Sequence, residues 1–163
     1  MSAAAIVLVI VLAAAVVAGS LLAWNRRQRD RLEPPDRRHR DLNVRLDHVT
    51  SGAREVADRA VRLAASVDVS AIASEWPEVR SDMLAIEGDI VNLDVHVGEA
   101  PVGRSLAELD RAVHALRDAA ERHVELRTAD PSDEHARDLS LEVVAERRRE
   151  VDAALDLVGG TRP

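Results

Sequence analysis

The feature that most constrains this chain is an uncharged segment near its start, Ala3 to Trp24, in which 22 consecutive residues carry no charged side chain. As an α-helix rising about 1.5 Å per residue, the segment spans roughly 33 Å, enough to cross a hydrocarbon core of about 30 Å. We therefore predict one transmembrane anchor within residues 1–24. Two alternatives are a buried helix of a soluble protein and a cleaved signal peptide with small residues at 13–15 or 18–20. The length of the segment and its lack of a basic start favour the retained anchor.

Arginines follow the apolar segment at once. Residues 25–40 hold seven Arg and three acidic residues, a net charge of +4, whereas no basic side chain precedes the segment. The positive-inside rule then predicts an outside N-terminus and a cytoplasmic C-terminal domain. The same arginines can pair with anionic headgroups of the lipid bilayer. The residues predicted at the membrane interface are Trp24, Arg26, Arg27, Arg29 and Arg31.

Ala15, Gly19 and Ala23 recur at helical spacing on one side of the predicted anchor. Small residues spaced in this way let two transmembrane helices approach closely. These three residues are the predicted association face, although an alanine-rich helix also produces this pattern by chance.

Residues 25–40 are predicted to be a basic linker, because Pro34-Pro35 disfavours a continuous helix from the anchor. Beyond the linker, apolar residues recur at alternating spacings of three and four, which is typical of packed helices. We predict an all-α antiparallel four-helix bundle over residues 41–160, with 161–163 as a tail. The predicted core positions are Leu42, Leu46, Val49, Ala53, Val56, Ala60, Leu63, Val67, Trp76, Val79, Met83, Ile86, Ile90, Leu93, Val97, Leu106, Leu109, Val113, Leu116, Ala120, Val124, Ala136, Leu139, Val143, Val151, Ala154, Leu155 and Val158.

Turn and capping residues predict where the helices begin and end. Ser74 is the predicted N-cap of the second helix, residues 98–103 a turn, and Ser105 with Glu108 a capping box. Asp130 and Pro131 are predicted to start the last helix, and Gly159-Gly160 to end it. Two alternatives remain open: residues 91–97 also alternate as a strand would, and residues 42–67 could pair with another chain as a coiled coil.

The charge and the composition of the chain limit the functions that it can have. Residues 41–163 carry fifteen Arg and 26 acidic residues, a net charge of −11, which argues against nucleic acid as a partner. The chain has no Cys, and its six His do not form an inward-facing Glu-x-x-His or a zinc motif. We therefore predict no catalytic residue, no metal and no cofactor. His123 is predicted as a partly buried, hydrogen-bonded side chain, Trp76 as a core residue, and residues 146–150 as a solvated charged face.

The order of one anchor followed by a helical bundle resembles the layout of LemA-type membrane proteins, and a likeness of layout assigns no residue a role. The sequence predicts a non-enzymatic, single-pass membrane protein that presents an acidic bundle as a scaffold, adaptor or accessory subunit. Its partner would be another protein or a second copy of itself. The alternatives are an extracytoplasmic or secreted binding module and an enzyme whose site these motifs do not reveal.

Overall fold

The computed structural model describes the backbone over residues 35–97, 100–130 and 132–161, and the side chains over 39–94, 101–130 and 132–161. These ranges contain four α-helices and no strand, which confirms the all-α class and excludes the strand alternative for residues 91–97. The helices are α1 (Pro35–Ala64), α2 (Val69–Val97), α3 (Ala100–Ala129) and α4 (Glu134–Gly160). Contacts divide the chain into two units, residues 1–40 and 41–163, and the bundle described below is the second.

The predicted anchor and most of the predicted linker lie outside the described residues. Among the helices that are described, none is long and apolar enough to cross a membrane. Helix α1 begins at Pro35, where a proline costs little because the first helical residues have no intrahelical partner for an N–H group.

Ion pairs and hydrogen bonds between side chains show that successive helices run antiparallel. In each pair of successive helices, a residue in the first half of one helix contacts a residue near the end of the other. Helix α4 also meets α1, so the four helices enclose one core. The contacts are Arg59 to Glu78 at 3.0 Å, Arg117 to Glu87 at 2.6 Å, Arg80 to Glu121 at 3.1 Å, His123 to Ser140 at 2.8 Å, Ser105 to Thr161 at 3.3 Å and Arg148 to Asp58 at 2.8 Å.

The core follows the predicted heptad positions in α1, α2 and α3. Trp76 is buried as predicted, and residues 46–63 of α1 bury their apolar stripe within the chain. This packing argues against a coiled coil between residues 42–67 and another chain, because the chain's own helices cover the stripe. Val67 is a correction: it lies in the α1–α2 loop and is 89% exposed. The largest fully buried apolar side chains are Leu46, Ile72, Met83, Ile90, Leu106, Leu109, Leu116, Val102, Val144, Val151 and Val158.

Helix α2 begins five residues before the predicted cap at Ser74. Asp68 receives the backbone N–H of Ser70 at 2.8 Å and that of Ala71 at 3.3 Å. These bonds satisfy two of the free donors at the helix start. Burial of Ile72 supports the extra turn. Ser74 was therefore wrong as the N-cap, and Pro77 lies inside α2 rather than in its first turn.

The connection between α2 and α3 is shorter than the predicted turn. Helix α3 begins at Ala100, so Gly103 and Ser105 are helical and the capping box is wrong. Ser105 instead donates its hydroxyl to the carbonyl of Pro101 at 3.2 Å. Val102 is 1% exposed, and its burial explains why the helix extends toward its N-terminus.

The last helix, in contrast to α2 and α3, begins later than predicted. Asp133 is its N-cap and accepts the backbone N–H of Ala136 at 2.9 Å, whereas Asp130 accepts that of Ser132 in the preceding turn. The predicted end is confirmed, since α4 runs to Gly160 and is capped at Thr161.

The prediction for the core of α4 is confirmed in its C-terminal half, where Val151, Ala154, Leu155 and Val158 are buried, and is wrong in its N-terminal half. Leu139 is 51% exposed and Val143 is 43% exposed, so both were wrong as core residues. Val144 is fully buried instead, and Ser140 faces His123. A polar residue at an inward position hides the true register from a search for apolar spacing.

Two helical glycines offer a paired test of packing. Gly88 is exposed, and a Cβ there would meet no atom within 4 Å, whereas a Cβ at Gly52 would lie 2.5 Å from Cδ1 of Ile86. We expect Gly88→Ala to raise the free energy of unfolding by about 0.5–1 kcal/mol through helix propensity. Gly52→Ala should gain less, because Ile86 must move. Urea denaturation monitored by circular dichroism measures both, and an equal gain at Gly52 would contradict the close approach of α1 and α2.

Candidate functional site

The residues predicted to contact the membrane lie outside the described residues. This applies to Trp24, Arg26, Arg27, Arg29 and Arg31 and to the association face of Ala15, Gly19 and Ala23. The features that can be described are three polar clusters between the helices and one exposed apolar stripe.

The first cluster surrounds His123, which is completely buried where α3 meets α1 and α4. Its Nε2 lies 2.9 Å from the carbonyl oxygen of Ala64, and its Nδ1 lies 2.8 Å from Oγ of Ser140. Because a carbonyl only accepts, Nε2 must carry a proton and donate it. The prediction of a hydrogen-bonded histidine is confirmed, and its burial is greater than predicted.

Burial lowers the pKa of His123, because the imidazolium would lose its hydration. The hydrogen bond to Ala64 opposes this shift, while the nearby positive charges of Arg127 and Arg137 strengthen it. The neutral ring therefore predominates at pH 7, with Nδ1 as an acceptor. The single hydroxyl proton of Ser140 is shared between this nitrogen at 2.8 Å and the carbonyl of Arg137 at 2.9 Å. Both ring nitrogens are engaged in joining three helices.

Arg127 extends this cluster to the end of the bundle. The residue is 6% exposed, and its Nη2 donates to the carbonyl of Val67 at 3.2 Å and more weakly to that of Ser66 at 3.5 Å. These carbonyls follow the end of α1 and accept no intrahelical hydrogen bond, so the guanidinium supplies the donors that the loop needs. Arg127 therefore fixes the α1–α2 loop against α3.

The second cluster joins α2 to α3. Arg117 donates to Glu87 at 2.6 Å, and the two side chains are only 12% and 14% exposed. The other terminal nitrogen of Arg117 donates to Nδ1 of His114 at 2.9 Å and lies 3.3 Å from Asp118. The sequence prediction missed this cluster, because the Arg and the Glu lie 30 residues apart and no local spacing relates them.

Glu87→Ala is expected to lower the free energy of unfolding by about 1–3 kcal/mol, because it leaves the Arg117 guanidinium short of a partner at a largely buried position. Urea denaturation of the single variants and of Glu87→Ala with Arg117→Ala isolates the pairwise energy. The double variant should lose less than the sum of the single losses. Additive losses would contradict a direct interaction between the two side chains.

The third cluster corrects the prediction for residues 146–150. Arg148 points inward with 15% of its side chain exposed, and it pairs with Asp58 of α1 at 2.8 Å and with Asp152 of its own helix. Arg147 pairs with Glu150 at 2.5 Å on the outer side, where its side chain is 39% exposed. The run therefore divides between an interhelical ion pair and an outer charged surface.

Two surface depressions lie among the described residues of the bundle. One lies beside the α1–α2 loop and includes Arg59, Arg62 and Glu75, and another lies where Leu126 meets Ala136. Within the described ranges, no three His, Asp or Glu side chains are placed to hold a metal ion. The polar side chains of the three clusters are positioned to hold the helices together.

The exposed apolar stripe runs along α4. Leu139, Val143 and Leu157 are each between 43% and 54% exposed, although they occur in a helix whose opposite side is buried. Leu126 of α3 is 44% exposed and lines the same depression as Ala136, at the start of α4. This stripe is the candidate site for contact with another helix.

Comparison of the chain with protein-family models, with curated proteins and with solved structures finds no match.

Proposed function

We propose that this chain is a non-enzymatic, single-pass membrane protein that presents an acidic helical bundle to a protein partner at the membrane surface. It would act as a scaffold, adaptor or accessory subunit. The observation that carries the proposal is the uncharged segment Ala3 to Trp24 followed by a linker with a net charge of +4. An anchor of this kind confines the bundle to a thin layer and so raises its effective concentration toward a partner in the same membrane.

The orientation in the proposal rests on the arginines. Seven Arg lie within residues 25–40, and basic residues next to a transmembrane helix favour the cytoplasmic side. The bundle would then face the cytoplasm with its net charge of −11. Anionic headgroups would attract the linker and repel the bundle, which keeps the helical surfaces available to a protein.

The polar clusters support a binding role rather than a catalytic one. His123 uses both ring nitrogens to join α1, α3 and α4, and Arg117 and Arg148 are engaged with carboxylates of neighbouring helices. Groups held in this way stabilise the fold. The leucines and the valine that α4 exposes, by contrast, are stabilised when another apolar surface covers them.

Membrane extraction tests the anchor. We expect the full chain to stay in the membrane pellet after an alkaline carbonate wash and to have the mass of the uncleaved sequence. Leu12→Arg combined with Val16→Arg should release it, because each arginine near the centre of a transmembrane helix costs about 2.5–3.5 kcal/mol. Val67→Arg, at an exposed loop position, is the matched control. A mature mass lacking the first twenty or so residues would favour the secreted binding module.

A further inference from the structure

The start of α4 differs in burial from the helix ends beside it. Its first ten residues, 134–143, are all described, and none of their side chains is buried; the first buried residue of the helix is Val144. We name residues 134–143 the strap. The neighbouring ends of the other three helices bury between two and five side chains each over the same length. These are Val56, Ala57, Ala60, Leu63 and Ala64 in α1, Ile72 and Trp76 in α2, and Ala120, His123, Val124 and Arg127 in α3.

Few contacts hold the strap to the rest of the bundle. Leu141 is its one partly buried large apolar side chain that packs against the core. Arg137 forms its ion pair with the adjacent Asp138, so no ion pair among the described residues links the strap to another helix. The next part of α4 is held differently, since Arg148 pairs with a carboxylate of α1 at 2.8 Å. The strap therefore has the weakest attachment of any described helix segment at this end of the bundle.

One side-chain hydrogen bond joins the strap to another helix within the described ranges. It links Oγ of Ser140 to Nδ1 of the fully buried His123 at 2.8 Å. Nε2 of the same ring donates to the carbonyl of Ala64 at 2.9 Å, so the ring connects the strap to the end of α1. A segment with few buried apolar contacts opens at a lower free-energy cost than the core. The bond between Ser140 and His123 is therefore a large part of what keeps the strap closed.

The charges around His123 favour an open strap once the ring is protonated. From α1 the ring meets a carbonyl, from α3 it is near the guanidinium of Arg127, and from α4 it is near that of Arg137. Asp130 and Asp133 line the depression beside these two arginines, but they accept backbone N–H groups of the α3–α4 turn and of α4. A buried imidazolium would add a third cation and lose its hydration. Opening moves Arg137 away and admits water to the ring.

We propose that the strap detaches from the bundle as one unit while the other helices and the rest of α4 stay folded, and that the hydrogen bond between His123 and Ser140 is the latch that holds it. Protonation of His123 releases this latch, so acid increases the population of the open form. The inference goes beyond the proposed function and does not depend on it, because it rests on burial and contacts within the bundle alone.

Hydrogen exchange of the full chain in detergent micelles, followed by NMR, tests the opening. Amides 138–143 are compared with amides 148–158, and the first four amides of α4 are left out because they have no intrahelical partner. We expect amides 138–143 to share one opening constant, about tenfold or more above that of amides 148–158. Equal constants in the two groups would overturn the proposal. So would values that fall steadily from residue 138 to residue 143, which is the behaviour of a fraying helix end.

Ser140→Ala tests the latch. It removes the hydrogen bond to His123 and slightly favours the helix itself, so any increase in opening comes from lost attachment. We expect the opening constant of the strap to rise about fivefold, as for the loss of one hydrogen bond. Ser51→Ala is the matched control, because the exposed Ser51 donates within α1, to the carbonyl of Asp47 at 2.6 Å, and it should leave the strap unchanged. An unchanged strap in Ser140→Ala would overturn the latch.

Acid provides an independent arm on the unaltered chain. Lowering the pH from about 7.5 to about 5.5 should raise the opening constant of the strap by up to about tenfold, the limit set by an exposed histidine with a pKa of about 6.5. Amides 148–158, corrected for the intrinsic pH dependence of exchange, should change much less. A strap whose opening constant does not respond to acid would contradict the role of His123.

Discussion

Leu116→Ala is expected to lower the free energy of unfolding of the bundle by about 2–5 kcal/mol. Leu116 is completely buried near the middle of α3, where truncation leaves a cavity that neighbouring helices cannot easily fill. Several other buried residues of the bundle are alanines, including Ala53, Ala60 and Ala120, which bury little apolar area each. The larger side chains, Leu116 among them, therefore contribute most of the hydrophobic stabilisation.

Urea denaturation, monitored by circular dichroism, measures this loss. Leu84→Ala is the matched control, because it removes the same atoms from a side chain that is 45% exposed in α2. We expect the control to change stability by about 0.5 kcal/mol or less. Similar losses at both positions would show that α3 does not form the centre of the core.

The second large effect is expected at His123. His123→Ala should lower the free energy of unfolding at pH 8 by about 2–4 kcal/mol, since it opens a cavity, removes the donor to the Ala64 carbonyl and leaves the Ser140 hydroxyl with the Arg137 carbonyl alone. The loss should also loosen the junction between the α1 end and α3. His48→Ala is the control, because the His48 side chain is 75% exposed. Denaturation at fixed pH compares the two variants directly.

The same residue predicts how stability depends on pH. The pKa of folded His123 lies below its unfolded value of about 6.5. Between those two values the unfolded chain binds more protons, so the stability that the neutral ring provides is complete above about pH 6.5 and is lost as the pH falls toward the folded pKa. His123→Ala should show a smaller loss over that interval. An unchanged pH dependence in the variant would contradict the assignment to His123.

The heptad spacing of apolar residues predicted most of the fold, because in α1 to α3 nearly every inward position is apolar. Leu46, Met83 and Leu116 illustrate this, since each is completely buried where the pattern placed it. In the part of α4 where Ser140 and Arg148 face inward, the spacing of apolar residues predicted the wrong face of the helix as buried. Those residues are inward because partners from other helices, His123 and Asp58, compensate their polarity.

Helix ends were predicted less well, because capping residues are common in this sequence. Ser74 and Ser105 have the right side chains for N-caps, yet burial of Ile72 and Val102 extends each helix toward its N-terminus. The polar clusters could not be predicted from the sequence, for a different reason. Glu87 and Arg117 come together only through the packing of α2 on α3, which no short-range spacing encodes.

The side of the membrane on which the bundle lies tests the proposed function most directly. The C-terminus of the full chain is fused in one strain to a reporter that is active only outside the cytoplasm, and in another to a fluorescent protein that matures only inside it. We expect fluorescence and an inactive outside reporter, with both fusions retained in the membrane fraction. An active outside reporter would contradict the predicted orientation and make an extracytoplasmic binding module the better explanation.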